Sequence, residues 1–444
     1  MSRRRRSLPR DRHGRFVGWS GRETSQPRGW LRPDSEEQLL AQVTRAGETG
    51  RRIRVVGAGH SFSRIAVPDD LAMSLDLMTG PVVVDQERSQ VTVPGGMRLR
   101  EVSAALLEQG LALPIVGSIQ AQCVAGAIAT GTHGSSLRHG NLATLVQSVR
   151  LVTGTGQVLE LGADDVRLPG ARVHLGALGV VTGVTLSIRP AVQLHQRVEH
   201  VPVEEVPDAL PEIAASAEFV KVWWLPHTPY AQVVRYDPTE ARHVGRPTPA
   251  TQRWIDENVM HRAVFPAMIR YQHRRPASTA GLNRRLYRVY LGPASQVGQD
   301  SLMLNTPMPV RHRETEAAVP MAVAPDAVKQ VLGLFESGRP AANFPLEIRF
   351  VRGDDSWLSP AQGADTCQIG AYSTDGPDCQ AYFDAFWQRL RPLGARPHWG
   401  KELDHDHAEI AALYPQLDRF LALRDELDPT RVLGGGELER LLGG

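Results

Sequence analysis

The chain has 444 residues, 42% of them hydrophobic and 22% charged, with a formal net charge of +2. That length allows two domains with a sizeable core, the composition is ordinary for a globular protein, and so small a charge argues against a nucleic-acid partner. Cys123, Cys367 and Cys379 are odd in number and lack metal-site spacing, which argues against a disulfide framework, and no window approaches the roughly 18 apolar residues of a transmembrane segment, so a cytoplasmic location is expected.

Arg3-Arg4-Arg5-Arg6 is the only dense basic run. It is twin-arginine-like, but Ser7-Leu8-Pro9-Arg10-Asp11-Arg12 stands where an apolar stretch of about 7–15 residues belongs. Residues 1–15 therefore read as a solvated basic tail. Pro33-Asp34-Ser35-Glu36-Glu37-Gln38 opens a helix, with Ser35 as cap and Gln38 completing a capping box. Leu39, Leu40 and Val43 mark its buried face. Strand-like runs follow at Ile53 to Val56, Leu71 to Leu75, Val82 to Val84 and Val91 to Val93. Gly95-Gly96 then turns the chain into a second helix, which Gly110 ends.

Between the first two of those runs lies Val56-Gly57-Ala58-Gly59-His60-Ser61-Phe62-Ser63. Two glycines let the backbone approach a ligand, and successive N–H groups and hydroxyls can line an anion. A dinucleotide-binding crossover is the first reading, and Asp76 even mimics its acidic ribose-binding residue. Phe62 occupies the third glycine position, however, and Pro68 with two aspartates replaces the helix. A phosphate-binding strand–loop–strand with His60 aimed at the ligand is the better reading.

Gly117 to Ser136 has too many glycines for a stable helix and too few charges for a surface loop. Its bare backbone suits a large planar or phosphorylated ligand, or else a tightly packed crossover. His133 within it reads either as a ligand contact or as a core histidine bonded to backbone. Val149 to Val152 and Val158 to Leu161 form a hairpin around Thr153-Gly154-Thr155-Gly156. Ala177 to Leu186 closes a first α+β unit near Pro190.

From Arg235 to Arg285 periodicity is weak. Strands are expected at Tyr287 to Leu291, Glu314 to Val319 and Leu346 to Val351, and helices at Ala324 to Ser337 and Gln380 to Leu390. Two more helices, Ala408 to Tyr414 and Leu417 to Leu427, precede Asp428-Pro429 and are expected to pack back on the first unit.

On the 346–351 strand, Glu347 and Arg349 share a face. A carboxylate beside a guanidinium suits a polyol, accepting hydroxyl protons and stabilising developing negative charge; the alternative is a surface salt bridge. His398-Trp399-Gly400-Lys401 joins an imidazole, an aromatic and an ammonium, with a packed turn as the alternative. Asp404-His405-Asp406-His407 reads as an acidic helix start, and no metal is expected. Neither a Ser-His-Asp signature nor a Gly-x-Ser-x-Gly elbow points to a hydrolase.

Together these motifs resemble the vanillyl-alcohol-oxidase-type FAD enzymes, specifically the aldonolactone and alditol oxidoreductases. Gly57 to Ser63 is similar to the family's pyrophosphate loop, whose histidine often bonds covalently to the flavin. Gly117-Ser118 through Thr132-His133-Gly134-Ser135 is similar to its second flavin-binding segment, and Leu178-Gly179-Val180-Val181-Thr182 to its third. Glu347-Ile348-Arg349 with Trp357-Leu358-Ser359-Pro360 resembles the substrate-site strand, and Pro397 to Lys401 the segment of the active-site lysine.

The resemblance implies an α+β fold: a two-subdomain FAD-binding domain (16–192), an α+β cap domain (193–396) and a C-terminal segment (397–444) that returns to the first. It also implies FAD held covalently by His60, with cofactor contacts from Val56 to Ser61, Gly117, Ser118, Gln122, Gly126, Thr130 to Gly134, Val180 and Val181. Glu347, Ser118 and His398 would bind substrate, and Arg349 and Lys401 would stabilise the substrate oxygen and the anionic reduced flavin. The implied reaction is hydride transfer from a sugar-1,4-lactone hydroxyl carbon to the flavin, with electrons passing to O2 or another acceptor. Alditol oxidation and flavin binding without catalysis are the alternatives.

Two departures matter. Alditol oxidases carry a histidine on the strand where this chain reads Gln368-Ile369-Gly370-Ala371-Tyr372, which favours the lactone branch. The family's C-terminal Asp-Pro-x-Gly-x-Phe-x-Asn pattern is degraded at Asp428 to Gly435. Gly117, where related lactone dehydrogenases carry alanine, favours oxidase behaviour.

Overall fold

Ser35 starts the first helix by capping it. Its Oγ accepts from the Gln38 N–H at 3.3 Å, and the helix runs Glu36–Glu48 with Leu39, Val43 and Ala46 buried. Such a cap is worth about 1 kcal/mol. The reciprocal bond falls one residue back, because Gln38 Oε1 accepts from the Asp34 N–H. The computed structural model describes residues 8–241, 264–290, 295–306, 310–336, 340–376 and 378–443, so the Arg3–Arg6 run lies outside the described residues. Pro9, expected in the solvated tail, is instead buried, and a Cβ on Gly59 would stand 2.6 Å from it.

Gly29–Leu31, Leu71–Met73 and Ile53–Val55 form a parallel sheet with the 71–73 strand in the middle. The loop after Val56 opens no α-helix; the 3-10 turn Arg64–Ala66 makes the crossover. Asp76 is engaged by Arg32, whose guanidinium donates to it. A second, antiparallel sheet runs in the order Val158–Leu161, Val146–Val152, Val180–Ser187, Gln90–Pro94, Val83–Asp85. Val152 opposes Val158 across the expected hairpin.

The chain leaves this sheet at Ser187 and enters an eight-stranded antiparallel sheet at Gln193. Its central strands, Phe219–Trp224, Leu346–Val351, Thr366–Ser373 and Arg313–Pro320, lie side by side in that order. Side chains alternate across a strand, and the sequence exploits this. Val220, Val222, Ile348, Phe350, Ile369 and Ala317 pack against the helices Val206–Ala215, Ala324–Leu332 and Cys379–Leu390. The intervening residues, Lys221, Trp223, Glu347, Arg349, Tyr372, Glu314 and Glu316, face the other side.

The helices His407–Leu413, Leu417–Leu427 and Gly436–Leu442 contribute Ile410, Phe420, Leu427 and Leu438 to the core that holds Val91, Leu106 and Val149. Despite the degraded C-terminal pattern, Val432 and Leu433 join Leu39 and Val43.

Residues 265–274 and 279–290 are helical. Tyr287 to Tyr290, expected as a strand, belongs to the helix Thr279–Tyr290, and Leu291 lies outside the described residues. Leu282, Leu286 and Val289 recur at helical spacing, a period that a short apolar window hides. The helix Phe265–Arg274 precedes it, with proline in its first turn. The Ala324 helix ends at Leu332 and passes into a 3-10 turn, Gly333–Phe335.

Candidate active site

Two glycine-rich segments and the polar face of the large sheet enclose a cavity of about 220 Å³. Val56 to Ser63 forms one wall. Gly59 sits at φ +70°, a conformation that a side chain would strain. His60 lies half-buried at the loop's tip, its ring stacked on Trp19 at 5.8 Å. Burial, with the charges of Arg98 and Arg100, pushes its imidazole down to about 4, so the ring is neutral at physiological pH. The Phe62 N–H donates to Gly400 O at 2.8 Å, tying this loop to the His398–Lys401 turn.

The second wall brings Gly117, Ser118, Gln122, Gly126, Thr130, Thr132 and His133 to the cavity, as expected from sequence. Gln122 Nε2 donates to Thr132 Oγ1 at 3.1 Å. A Cβ on Gly126 would meet nothing within 4 Å, so no protein packing demands glycine there; the cavity lies beyond it. Gly131 and Gly134 do not reach the cavity. A Cβ on Gly134 would stand 2.5 Å from Ile115 Cδ1, and Gly131, at φ +66°, lies against Pro360. Their smallness serves packing and backbone geometry.

Val180 and Val181 line the far end, together with His174, which sequence reasoning missed. His174 Nδ1 accepts from the Gly176 N–H at 3.1 Å, and its buried Nε2 finds no partner among the described residues. Bare glycine backbone and an unpartnered buried nitrogen fit a large, flat, phosphorylated group such as FAD.

The sheet face closes the cavity. Glu347 is 2% exposed, so its pair with Arg349 is no surface salt bridge. Three donors converge on its carboxylate: Trp223 Nε1 at 2.7 Å, the Tyr372 hydroxyl at 2.9 Å and the Arg349 guanidinium. Burial works to raise this carboxyl, yet Arg349, Lys221 and Trp223 hold it below the ordinary carboxylate value. Glu347 is thus a hydrogen-bond acceptor and a poor base.

Glu314 and Glu316, on the Arg313–Pro320 strand beyond Thr366–Ser373, were not foreseen. Lys401 forms an ion pair with Glu314 while its Nζ stands 5.2 Å from the Phe62 ring centre. His133 Nε2 lies 3.1 Å from Glu316 Oε1, and its Nδ1 lies 2.8 Å from Gly134 O. A carbonyl only accepts, so Nδ1 carries a hydrogen and Nε2 is turned toward the carboxylate. His133 is therefore both bonded to backbone and part of the cavity wall.

His398 Nδ1 accepts from the Gly400 N–H at 2.9 Å, which leaves the ring's own proton on Nε2. Ligand atoms of His133, Glu316 and His398 lie within 4.8 Å of one another, a donor set that zinc accepts. With the His398 Nδ1 lone pair spent on the Gly400 N–H and His133 Nδ1 bonded to Gly134 O, the cluster reads as a hydrogen-bonded network.

Two further segments have structural roles outside the cavity wall. Trp399 is fully buried and donates to Leu358 O at 2.7 Å, so the Trp357–Pro360 stretch supports the lysine turn and does not itself line the cavity. Asp406 caps the His407–Leu413 helix: its Oδ1 accepts from the Glu409 N–H at 2.9 Å.

A signal for two missed residues was present. Alternating glutamates on a strand must share a face. Only three of the chain's 50 basic Lys and Arg residues are lysine, and two of these, Lys221 and Lys401, stand at this site.

Comparison with known proteins agrees with this geometry. The D-arabinono-1,4-lactone oxidase family model matches residues 184–441, and an FAD binding domain model matches residues 27–162. An L-gulono-1,4-lactone dehydrogenase of Mycobacterium tuberculosis is 34% identical, covering 96% of this chain and 99% of that protein. An alditol oxidase of a Streptomyces species is 31% identical, over 96% and 99%. The bovine (Bos taurus) L-gulonolactone oxidase is 28% identical, over 96% and 98%. Cholesterol oxidase from Brevibacterium sterolicum shares the fold, with a TM-score of 0.81 at 16% identity over 96% of both chains. The chain carries an FAD-binding domain and belongs to the D-arabinono-1,4-lactone oxidase family.

Proposed function

We propose that this protein oxidises a sugar-1,4-lactone of the gulono, galactono or arabinono type at a secondary hydroxyl, with FAD as the hydride acceptor. The observation that carries this reading is the buried Glu347–Arg349 pair, set on the wall of a cavity whose opposite walls are glycine-rich. Glu347 accepts from substrate hydroxyls, while Arg349 and Lys401 stabilise charge on the reacting oxygen. Ser118 and His398 complete the substrate contacts. FAD, when bound, supplies the redox chemistry, and the protein supplies orientation and electrostatics. The names of the gulonolactone relatives support the substrate class, and the alditol oxidase keeps a polyol as the second reading. Tyr372, which bonds Glu347 from the strand where alditol oxidases carry histidine, favours the lactone.

We assign the covalent flavin link to His60, on the strength of its neutral ring and its place at the tip of the glycine loop. The division at 192/193, the cap and the C-terminal segment from 397 belong to the same proposal. So does a cytoplasmic location, which three buried, free cysteines favour, and O2 as electron acceptor, which Gly117 favours. Anaerobic reduction of the bound flavin by lactones tests the activity; flavin that no lactone or polyol reduces would leave a flavin-binding protein without this function.

A further inference from the structure

Alcohol oxidation releases a proton as well as a hydride, and the three buried carboxylates at the proposed site are poor proton acceptors. Glu347, Glu314 and Glu316 are all held below the ordinary carboxylate value, in each case by neighbouring cations and donors that outweigh burial. Arginine does not deprotonate, and Lys401 is committed to Glu314.

Lys221 stands apart. It lies on the Phe219–Trp224 strand, opposite Arg349 in register, and is 5% exposed. Its Nζ is 4.5 Å from the Trp223 ring centre, 5.7 Å from that of Tyr236, and 3.0 Å from Thr306 Oγ1. Thr306 lines the large cavity, and its N–H donates to Ser118 O at 3.0 Å. A second cavity of about 20 Å³ lies behind, lined by Lys221 and sharing Ser118 and Arg349 with the first. That volume is enough for one water. A threonine hydroxyl both donates and accepts, so the Lys221–Thr306 bond works in either proton direction. The third lysine, Lys329, is exposed and far from this machinery in role. In a chain that places arginine nearly everywhere else, lysine here supplies a base that arginine cannot.

We propose that Thr306 and Lys221 take up the substrate's hydroxyl proton. This rests on the lactone-oxidising reading above. As the C–H bond gives its hydride to FAD, the O–H bond breaks, its proton passes to Thr306 Oγ1, and the Thr306 hydroxyl proton passes to Lys221 Nζ. The substrate ends as a ketone and Lys221 as an ammonium, which returns its proton when the flavin is reoxidised. Lys221 acts through Thr306, so it is a positioning and proton-holding residue. Burial pushes its ammonium down to about 8, with Glu347 opposing that shift and Arg349 adding to it; the facing Tyr236 hydroxyl is pushed up and stays neutral.

The test is rapid-reaction anaerobic reduction of the FAD-loaded protein by L-gulono-1,4-lactone, from about pH 6 to about pH 10. The wild-type rate should rise along a limb centred near the Lys221 value of about 8. Lys221→Met should lose that limb and reduce flavin about 10²-fold more slowly, the lower end of what a general base contributes. Lys221→Arg should not restore the rate. Thr306→Val should behave like Lys221→Met, which keeps the test valid if the buried lysine proves essential for folding.

A readout independent of turnover is available because the chain has three lysines. In ¹³Cε-lysine NMR spectra without substrate, the resonance missing from Lys221→Met should titrate well below the ordinary lysine value of about 10.4. An unchanged pH profile and rate in both Lys221→Met and Thr306→Val would overturn the relay. Failure of lactones and polyols to reduce wild-type flavin at any pH would overturn the functional reading instead.

Discussion

The Tyr372 hydroxyl donates to Glu347 Oε2 at 2.9 Å, across adjacent strands of the large sheet. This bond orients the carboxylate toward the cavity. A hydrogen bond to a charged group is worth about 1.5–3 kcal/mol. Tyr372→Phe should therefore raise the lactone's apparent dissociation constant by roughly tenfold to a hundredfold, and Glu347→Gln should weaken it too. Substrate titrations followed by flavin absorbance check this; unchanged affinity in both variants would remove Glu347 from substrate binding.

His60 should hold the flavin through acid denaturation. Its ring is neutral and stacked on Trp19 beside the cavity, which suits a nucleophile. A denaturing gel should show a fluorescent band in wild type and none in His60→Ala. Flavin released wholly into the acid supernatant would show that the link is not covalent.

Arg349→Ala and Lys401→Ala should each slow flavin reduction by about 10²–10³ while FAD binding changes far less. On the proposed reading both cations would stabilise the charge that develops on the reacting oxygen. Reduction near the wild-type rate in both variants would place them outside the chemistry.

How much of this was legible in the sequence depended on whether a residue's role was local. Glu347 and Arg349 announce themselves, because a period-two strand puts them on one face within three residues. Glu314 and Glu316 obey the same rule, yet their partners Lys401 and His133 lie far away in the chain, so nothing nearby marked them as buried. Lys221 has no motif at all; only the rarity of lysine points to it. The glycines read alike in the sequence but differ in the fold. Gly126 opens onto the cavity whereas Gly134 fits against Ile115, a difference fixed by tertiary contacts. The helices within 265–290 were hidden because polar faces blurred a period that packing resolves.

Acid stability should report the Glu314–Lys401 pair. Burial opposes the charged carboxylate, but Lys401 and His312 hold Glu314 at about 2, against about 4.3 in an unfolded chain. A depressed carboxyl stabilises the fold fully above its unfolded value, and that contribution is lost as pH falls toward the folded one. Lys401→Ala should raise the Glu314 value and move the acid-unfolding midpoint to higher pH, while Lys401→Arg should largely keep it. Circular dichroism against pH measures this, and an unmoved midpoint in Lys401→Ala would contradict the pairing.

Gly117→Ala should slow reoxidation by O2 and leave reduction by substrate nearly intact. The added Cβ would stand 3.1 Å from Thr132 Cγ2 and 3.3 Å from His133 O, so it tightens a wall that is already close-packed. Reduced enzyme mixed with aerated buffer decides it. Wild-type reoxidation no faster than free reduced flavin, with brisk turnover on a dye acceptor, would make the protein a dehydrogenase.

Anaerobic mixing with a panel of lactones and polyols tests most directly whether this cavity oxidises a sugar lactone with bound FAD. A sugar-1,4-lactone should bleach the flavin's visible absorbance rapidly, and open-chain polyols should do so far more slowly. Bleaching by polyols but not by any lactone, or by neither, would contradict the proposed function.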